Sequence, residues 1–391
     1  MRQLFLAATG QNRGKTTASL GLLDGFRRRG FNTGFMKPVG QRTLIDDGQV
    51  TDDDSYLMRV VFDLPDPYSA MSPVHIPRGY TKAYINGEVV DDLGERIYAA
   101  QRHFADHDIL LIEGTGHAGV GAVVGLSNAV VASMLKAPAV IISEGGVGRP
   151  IDEIVLNASH FEAHGVPVAG AIVNKVRIEE QPGIERTLER GLARHGIPLL
   201  GVLPYRPILS NPTLEMVLEG THGKVIHPGA DLDRVIDGIA IGAMEPNHML
   251  ERVNPGTLVI VPGDREDVIL TLASAHVADR WRALPGTVEQ IDALVEETPG
   301  AIDAGPEAKA LGILLTGGYE PRPEVLEAVN QAGMFCAIVP DDTYTVASEV
   351  HDLLVKTHAA DKGKIEMIKA LVWEHLLMDR FLEVAAEARF G

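Results

Sequence analysis

The chain has 391 residues, of which 45% are hydrophobic, and its 35 Lys and Arg against 53 Asp and Glu give a net charge of −18. This length favours two domains, and the negative charge repels nucleic-acid phosphates and anionic lipids, so we expect neither nucleic acid nor membrane as a partner. The single cysteine, Cys336, excludes an internal disulfide, and we expect a cytoplasmic protein.

Short apolar runs alternate with helical patterns in the first half of the chain. This alternation predicts an α/β fold in which helices cover both faces of a parallel sheet. The predicted strands are residues 4–8, 32–36, 109–112, 139–142, 169–173 and 199–202, with a helix over 17–29.

The pattern is interrupted by Pro207, by Asn211-Pro212 and by Gly220 before a new series of strands begins. We therefore predict a nucleotide-binding domain over residues 1–209 and a second, smaller α/β domain over 210–391. The acidic segment near 285–308 reads as an insertion in the second domain. The predicted strands are 235–241, 257–261, 312–315 and 336–339, and a last helix is predicted over 364–388.

The strongest motif is the loop Gly10–Thr16, which follows a predicted strand and precedes a predicted helix. This arrangement predicts a phosphate-binding loop (P-loop), whose amides surround phosphate oxygens, with Lys15 on the β- and γ-phosphates and the Thr16 hydroxyl on magnesium. The usual pattern has glycine at position 9, where this chain has Thr9. The residues predicted to bind ATP here are Gly10, Gln11, Asn12, Arg13, Gly14, Lys15, Thr16 and Thr17.

Three charged positions outside the loop could extend this site. Lys37 ends the second predicted strand. It lies either at the edge of the sheet where ligands bind in open α/β folds, or on the surface as an ordinary lysine. Asp54 closes an acidic run and is either a magnesium ligand or part of a solvated helix start. Glu113 ends a buried strand next to Gly114, an arrangement that holds magnesium in P-loop nucleotidases.

These motifs, together with Glu113-Gly114-Thr115-Gly116, resemble dethiobiotin synthetase and the cobyrinic acid a,c-diamide synthases. Gly145–Arg149, Gly170–Lys175 and Gly201–Pro204 are more similar to the N-terminal region of long bacterial phosphotransacetylases. The resemblance implies that Asp54 and Glu113 hold Mg²⁺ and that Lys15 and Lys37 face the γ-phosphate and its acceptor. It also implies that Asn174 reads the base, and that the protein is a homodimer.

The second half resembles the domain named for an Asp-Arg-Thr-Gly-Gly (DRTGG) motif, which follows the synthetase-like domain in those phosphotransacetylases. The resemblance rests on Gly263-Asp264-Arg265 and Thr316-Gly317-Gly318, although the name-giving motif is incomplete. It implies a regulatory domain. The turn at 316–318 is either a second anion-binding turn or a tight loop.

Two functions remain open from the sequence. The first is an ATP- and magnesium-dependent ligase or phosphoryl-transfer enzyme of the dethiobiotin-synthetase type, acting on a small acid, with Lys15, Lys37 and Glu113 as catalytic residues. The second is a regulatory nucleotide-binding switch whose DRTGG-like domain senses a metabolite or binds a partner enzyme. We expect neither a glutamine amidotransferase, because Cys336 lies in an apolar run, nor a complete phosphotransacetylase, because the chain ends soon after the regulatory-like part.

Overall fold

A computed structural model of the chain describes residues 1–77, 79–177, 182–283, 310–353 and 356–387. The chain divides into two compact units, Met1–Arg206 with Thr357–Gly391, and Pro207–Lys356. The predicted second domain includes residues 357–391, which the structure assigns to the first unit instead. The acidic segment near 285–308 lies outside the described residues.

The first unit is built on a six-stranded parallel sheet with the order β10-β9-β8-β1-β7-β2. Its central strands are almost wholly buried, as near-continuous runs of aliphatic residues require when helices cover both faces. Two small pairs, β3 with β6 and β4 with β5, lie outside this sheet. The strands are β1 Arg2–Ala8, β2 Thr33–Met36, β3 Val39–Gly40, β4 Thr43–Asp46, β5 Gln49–Asp52, β6 Val74–His75, β7 Ile109–Glu113, β8 Ala139–Glu144, β9 Val168–Val176 and β10 Leu199–Pro204.

The helices of the first unit connect these strands. The first begins immediately after Gly14, so its positive end faces the loop that β1 delivers. The second begins at an aspartate cap, because the Asp52 side chain accepts a hydrogen bond from the backbone N of Asp54 at 3.0 Å. The helices are α1 Lys15–Arg28, α2 Asp53–Phe62, α3 Tyr68–Met71, α4 Tyr80–Ile85, α5 Leu93–His103, α6 Asn128–Met134, α7 Gly148–Ala163 and α8 Ile184–Ala193, with a 3-10 helix at Ala122–Val124.

The second unit has its own five-stranded mixed sheet with the order β11-β15-β14-β13-β12. Its strands are parallel except β11, which is antiparallel to β15. The predicted class, a parallel-sheet P-loop domain followed by a smaller α/β domain, is confirmed. Its elements are α9 Pro207–Ser210, α10 Leu214–Thr221, β11 Lys224–His227, β12 Gly238–Ile241, α11 Pro246–Leu250, β13 Thr257–Pro262, α12 Glu266–Ala283, β14 Ala310–Thr316, α13 Pro323–Ala332, β15 Phe335–Ile338 and α14 Thr343–Asp352.

The chain then returns to the first unit through two helices, α15 Lys362–His375 and α16 Met378–Glu387. The single predicted helix over 364–388 is therefore wrong, because Leu376 is extended and bridges to Gly201 of β10. Helix α15 packs closely on α1, where a Cβ added to Gly21 would lie 2.1 Å from Val372 Cβ. Glycine at this position is what lets the two helices approach.

Among the described helices, none combines the length and the apolar composition that a membrane span needs.

Candidate nucleotide site

The loop between β1 and α1 has the geometry of a phosphate cradle. Asn12 and Gly14 both have positive φ, 57° and 96°, a left-handed conformation that occurs in backbone nests that bind anions. Gly14 precedes α1, and a Cβ added to it would lie 1.9 Å from Asn174 Nδ2. Only glycine satisfies both the dihedral angle and the space at this position.

The end of strand β9 holds this loop in place. Asn174 donates from Nδ2 to the Arg13 carbonyl at 3.0 Å and accepts at Oδ1 from the Lys175 backbone N at 2.8 Å. Lys175 Nζ donates to the Asn12 carbonyl at 3.0 Å. The structure therefore places Asn174 against the loop's backbone, and its role in reading the base stays a prediction.

Three of the predicted charged residues meet in a buried cluster below the loop. Lys37 Nζ lies 2.7 Å from Asp54 Oδ2 and 2.9 Å from Glu113 Oε1. Lys37 is 5% exposed and Glu113 is 1% exposed. These residues come from the ends of β2 and β7 and from the start of α2, so the carboxyl edge of the sheet brings them together as predicted for open α/β folds. Lys37 is therefore no surface lysine.

Two hydroxyl groups of α1 join the same cluster. Thr16 Oγ1 donates to Asp54 Oδ1 at 3.0 Å and lies 3.4 Å from Glu113 Oε1. Ser19 Oγ donates to Glu113 Oε2 at 2.6 Å, a contact that the sequence analysis missed. One hydroxyl and two carboxylates form an all-oxygen set, which is what Mg²⁺ takes from proteins when phosphates and waters supply the other ligands. The predicted ligands Thr16, Asp54 and Glu113 thus fit the ion, although no group of three His, Cys, Asp or Glu in the described ranges has metal-binding geometry.

The two lysines of the site have opposite electrostatic environments. Burial lowers the pKa of Lys37, but the attraction of Asp54 and Glu113 outweighs burial, so that its pKa is raised and it stays an ammonium ion. Burial and repulsion by Lys37 lower the pKa of Lys15 from 10.5 to about 8. Within the described part of the chain, Lys15 forms no ion pair with a carboxylate. Glu113 and Asp54 attract the charge of Lys15 but make their closest contacts with Lys37, so the Lys15 ammonium can receive a negative ligand.

Asp52 is a further buried carboxylate beside this cluster that the sequence analysis did not select. It is 3% exposed, and burial together with the neighbouring Asp54 raises its pKa to about 6. A Cβ added to Gly40 would lie 2.7 Å from Asp52 Oδ2. Its signal in the sequence was the run of three aspartates at 52–54, whose members have different environments.

The turn at 316–318 in the second unit differs from the P-loop. The Gly317 amide donates to the Asp341 carbonyl at 2.7 Å, and the Gly318 amide donates to the Val339 carbonyl at 2.9 Å. Because these amides are already bound to backbone carbonyls, they cannot cradle an anion in this conformation. The structure agrees with the tight-loop alternative.

The fold and the loop define a P-loop α/β protein, and the comparisons name its family. Residues 2–213, more than half of the chain, match the family model described as AAA domain, and the chain belongs to this family. Residues 216–353 match the DRTGG domain. The expected succession of a P-loop domain and a DRTGG domain is confirmed.

The similar proteins are phosphate acetyltransferases. That of Pseudomonas aeruginosa is 26% identical over 397 residues, covering 96% of this chain and 51% of that protein. That of Pseudomonas putida is 28% identical over 390 residues, covering 96% of this chain and 51% of that protein. The chain thus spans about half the length of these relatives, and the expected likeness to long phosphotransacetylases is confirmed.

Among solved structures, the MinD cell division protein of Aquifex aeolicus is similar with a TM-score of 0.34 and 14% identity, over 54% of this chain and 84% of that chain. The CBS and DRTGG domains of the Clostridium perfringens pyrophosphatase regulatory region, complexed with diadenosine tetraphosphate, are similar with a TM-score of 0.27 and 16% identity, over 43% of this chain and 63% of that chain.

Proposed function

We propose that the first unit binds ATP with Mg²⁺ and transfers or releases its γ-phosphoryl group, in the manner of a dethiobiotin-synthetase-type ligase acting on a small acid. The observation that carries the proposal is the convergence of Lys15, Lys37, Asp54 and Glu113 at the P-loop. Phosphoryl transfer needs positioning and charge stabilisation rather than a covalent protein intermediate. The loop and the charged side chains of this site can provide both.

Each residue has a distinct part in this proposal. The loop amides and Lys15 bind the β- and γ-phosphates, and the positive end of α1 adds to the attraction. Lys37 is already fixed by two carboxylates, so it can stabilise the transferred group without first losing side-chain freedom. Thr16, Asp54 and Glu113 would hold Mg²⁺, which when bound neutralises charge on the phosphates. Homodimer formation remains part of this proposal, with an acceptor site shared between copies.

The test is phosphate release from ATP and Mg²⁺, with and without small carboxylic acids and amines. We expect wild-type protein to release phosphate at a rate that an acceptor increases, and Lys15→Ala to lose about 100-fold of that rate because a transition-state contact is removed. Lys82→Ala, at an exposed lysine of the same unit, serves as the matched control. A wild-type rate no higher than that of Lys15→Ala contradicts the enzyme proposal.

A second candidate function is a regulatory nucleotide-binding switch with slow or no turnover, in which nucleotide alters the DRTGG-domain unit and that unit senses a metabolite or binds a partner enzyme. It is favoured by one observation: nearly the whole chain aligns with about half of much longer phosphate acetyltransferases. Coupling between two sites is reciprocal. We therefore propose to measure hydrogen exchange of residues 210–353 with and without ATP and Mg²⁺, and unchanged exchange there would exclude the switch.

A further inference from the structure

Thr9, directly before the P-loop, departs from the glycine of the usual pattern, and its surroundings explain the departure. We propose that Glu153 is a positioning residue that fixes Thr9 and thereby holds the P-loop in its phosphate-binding shape. The proposal deepens the nucleotide binding proposed above and rests on it. Helix α7, which carries Glu153, would then contribute to the affinity for nucleotide.

Thr9, Ser143 and Glu153 lie within hydrogen-bonding distance of one another. The Thr9 hydroxyl donates to Glu153 Oε2 at 2.8 Å, and the Ser143 hydroxyl donates to the same oxygen at 3.1 Å. The two hydroxyl oxygens are 3.0 Å apart, but the single hydrogen of each is used in its bond to the carboxylate. Thr9 is 134 positions from Ser143 and 144 from Glu153, and it directly follows β1, whereas Ser143 belongs to β8 and Glu153 to α7. The shared carboxylate therefore joins the start of the loop to two other parts of the first unit.

Thr9 makes these contacts without backbone strain. Among the described residues, Thr9 is not one of those with positive φ, so the freedom of glycine is not needed here. Its backbone N continues the sheet by donating to the Ile142 carbonyl at 2.8 Å. The hydroxyl is then the feature that distinguishes threonine from the usual glycine, and Glu153 is the charged group that binds it.

Glu153 is itself held in an ionised state. Burial raises the pKa of Glu153, but the hydrogen bonds from Arg149, Thr9 and Ser143 together lower it by more. The net effect is a lowered pKa. Arg149 Nε donates to Glu153 Oε1 at 2.7 Å. A hydrogen bond to a charged acceptor is stronger than one between neutral groups. The Thr9 contact is therefore a firm one.

Glu153 contacts two other parts of the site, one through its carboxylate and one through its backbone carbonyl. Arg13, within the P-loop, has NH2 4.0 Å from Glu153 Oε1 and forms an ion pair with Glu144. The Glu153 carbonyl accepts from Asn157 Nδ2 at 2.8 Å, and Asn157 Oδ1 accepts from the Ala118 backbone N at 2.9 Å. Helix α7 thus links the P-loop to the loop that follows Glu113.

The experiment compares Thr9→Val, which removes the hydroxyl at nearly constant volume, with Glu153→Gln, which removes the charge. We expect each to weaken the binding of ATP with Mg²⁺ about ten-fold, because Thr9→Val removes the hydrogen bond and Glu153→Gln removes the charge that strengthens it. Thr9→Ser keeps the hydroxyl and should restore affinity to within about two-fold of wild type. Glu162→Gln, an exposed change on the same helix, is the matched control.

The double variant decides whether the two residues act together. If Glu153 acts through Thr9, Thr9→Val with Glu153→Gln should bind about ten-fold more weakly than wild type, rather than about 100-fold. Additive losses, or Thr9→Ser as weak as Thr9→Val, would overturn the proposal.

Hydrogen exchange of residues 10–14 in nucleotide-free protein separates this inference from the proposed function. We expect faster exchange in Thr9→Val and Glu153→Gln, but not in Glu162→Gln, because the loop loses its anchor. Absence of ATP binding by wild type would contradict the proposed function alone, whereas unchanged loop exchange would contradict the positioning role.

Discussion

Both units place loops at the carboxyl ends of parallel strands, and among the described residues a buried charged cluster lies there in the first unit but not in the second. In the first unit, the ammonium of Lys37 is buried between two carboxylates, and Lys15 forms no ion pair with any carboxylate of the described ranges. In the second unit, Arg265 pairs with Asp267 at 2.9 Å, and Glu266 pairs with Arg322. All four side chains lie at or near the surface of that unit. In open α/β folds ligands bind at this edge of the sheet, and charges removed from water interact more strongly with a ligand than exposed ones do.

The largest effect is expected from removing the cation of the buried cluster. Lys37→Ala leaves Asp54 and Glu113 close together without their counter-charge, so we expect the free energy of unfolding to fall by about 3–5 kcal/mol. Urea denaturation measures this change. Lys82→Ala, at an exposed position, should change it by less than about 0.5 kcal/mol. Equal losses in the two variants would contradict this prediction, because they would show that Asp54 and Glu113 do not depend on the positive charge of Lys37.

The next effect concerns the pH dependence that Lys15 contributes. Its pKa is about 8 in the folded protein and 10.5 when unperturbed. Between these values the unfolded chain binds more protons, so this group makes the free energy of unfolding rise with pH, by up to about 3 kcal/mol in all. The penalty is fully present below pH 8 and disappears toward pH 10.5. Lys15→Met should remove this rise, and an identical pH profile in both proteins would contradict the assigned environment.

A smaller effect is expected from adding one methyl group to the P-loop. Gly14→Ala meets both a positive φ and the side chain of Asn174, whereas Gly30→Ala has a positive φ of 83° but no atom within 4 Å of the new Cβ. Both should lose about 1 kcal/mol from backbone strain. Gly14→Ala should in addition lose affinity for ATP with Mg²⁺. Calorimetric titration of both variants tests this difference, which would vanish if the loop did not bind phosphate.

The smallest effect is expected in the second unit. The Thr316 and Thr343 hydroxyl oxygens are 2.7 Å apart, and Thr316→Val removes this hydrogen bond at a cost of about 1 kcal/mol in stability. Because the turn amides there are bound to carbonyls, ATP affinity should be unchanged. A Thr316→Val protein with altered ATP affinity would show that the two units communicate, and would favour the switch over the independent enzyme.

Local sequence patterns predicted the buried strands well. The run 109–112 lies within β7 Ile109–Glu113, and 257–261 lies within β13 Thr257–Pro262, because a strand buried on both faces is a continuous apolar run. The polar hairpin β4 Thr43–Asp46 and β5 Gln49–Asp52 was not predicted. Its two buried residues, Thr51 and Asp52, are polar, and the other six are exposed or half-buried, so the hairpin carries little hydrophobic signal.

The sequence predicted those residues of the candidate site that end a strand or belong to a recognisable loop. Lys37 and Glu113 are examples of the first kind, and Lys15 of the second. Glu153 and Ser19 were missed, because their roles depend on partners that local spacing does not reveal. Glu153 lies 144 positions from Thr9, and Ser19 lies 94 positions from Glu113. Only the tertiary fold brings such pairs together. The departure at Thr9 was visible in the sequence, but its partner was not.

The return of α15 and α16 to the first unit has a consequence for how the protein acquires its structure. Because Val372 and Met378 pack where Gly21 and Gly25 leave space on α1, the helix that carries Lys15 is completed by residues synthesised about 350 positions later. During translation, the second unit emerges before the first can close. A ribosome-bound chain would therefore display an incomplete P-loop unit until α15 and α16 have been made.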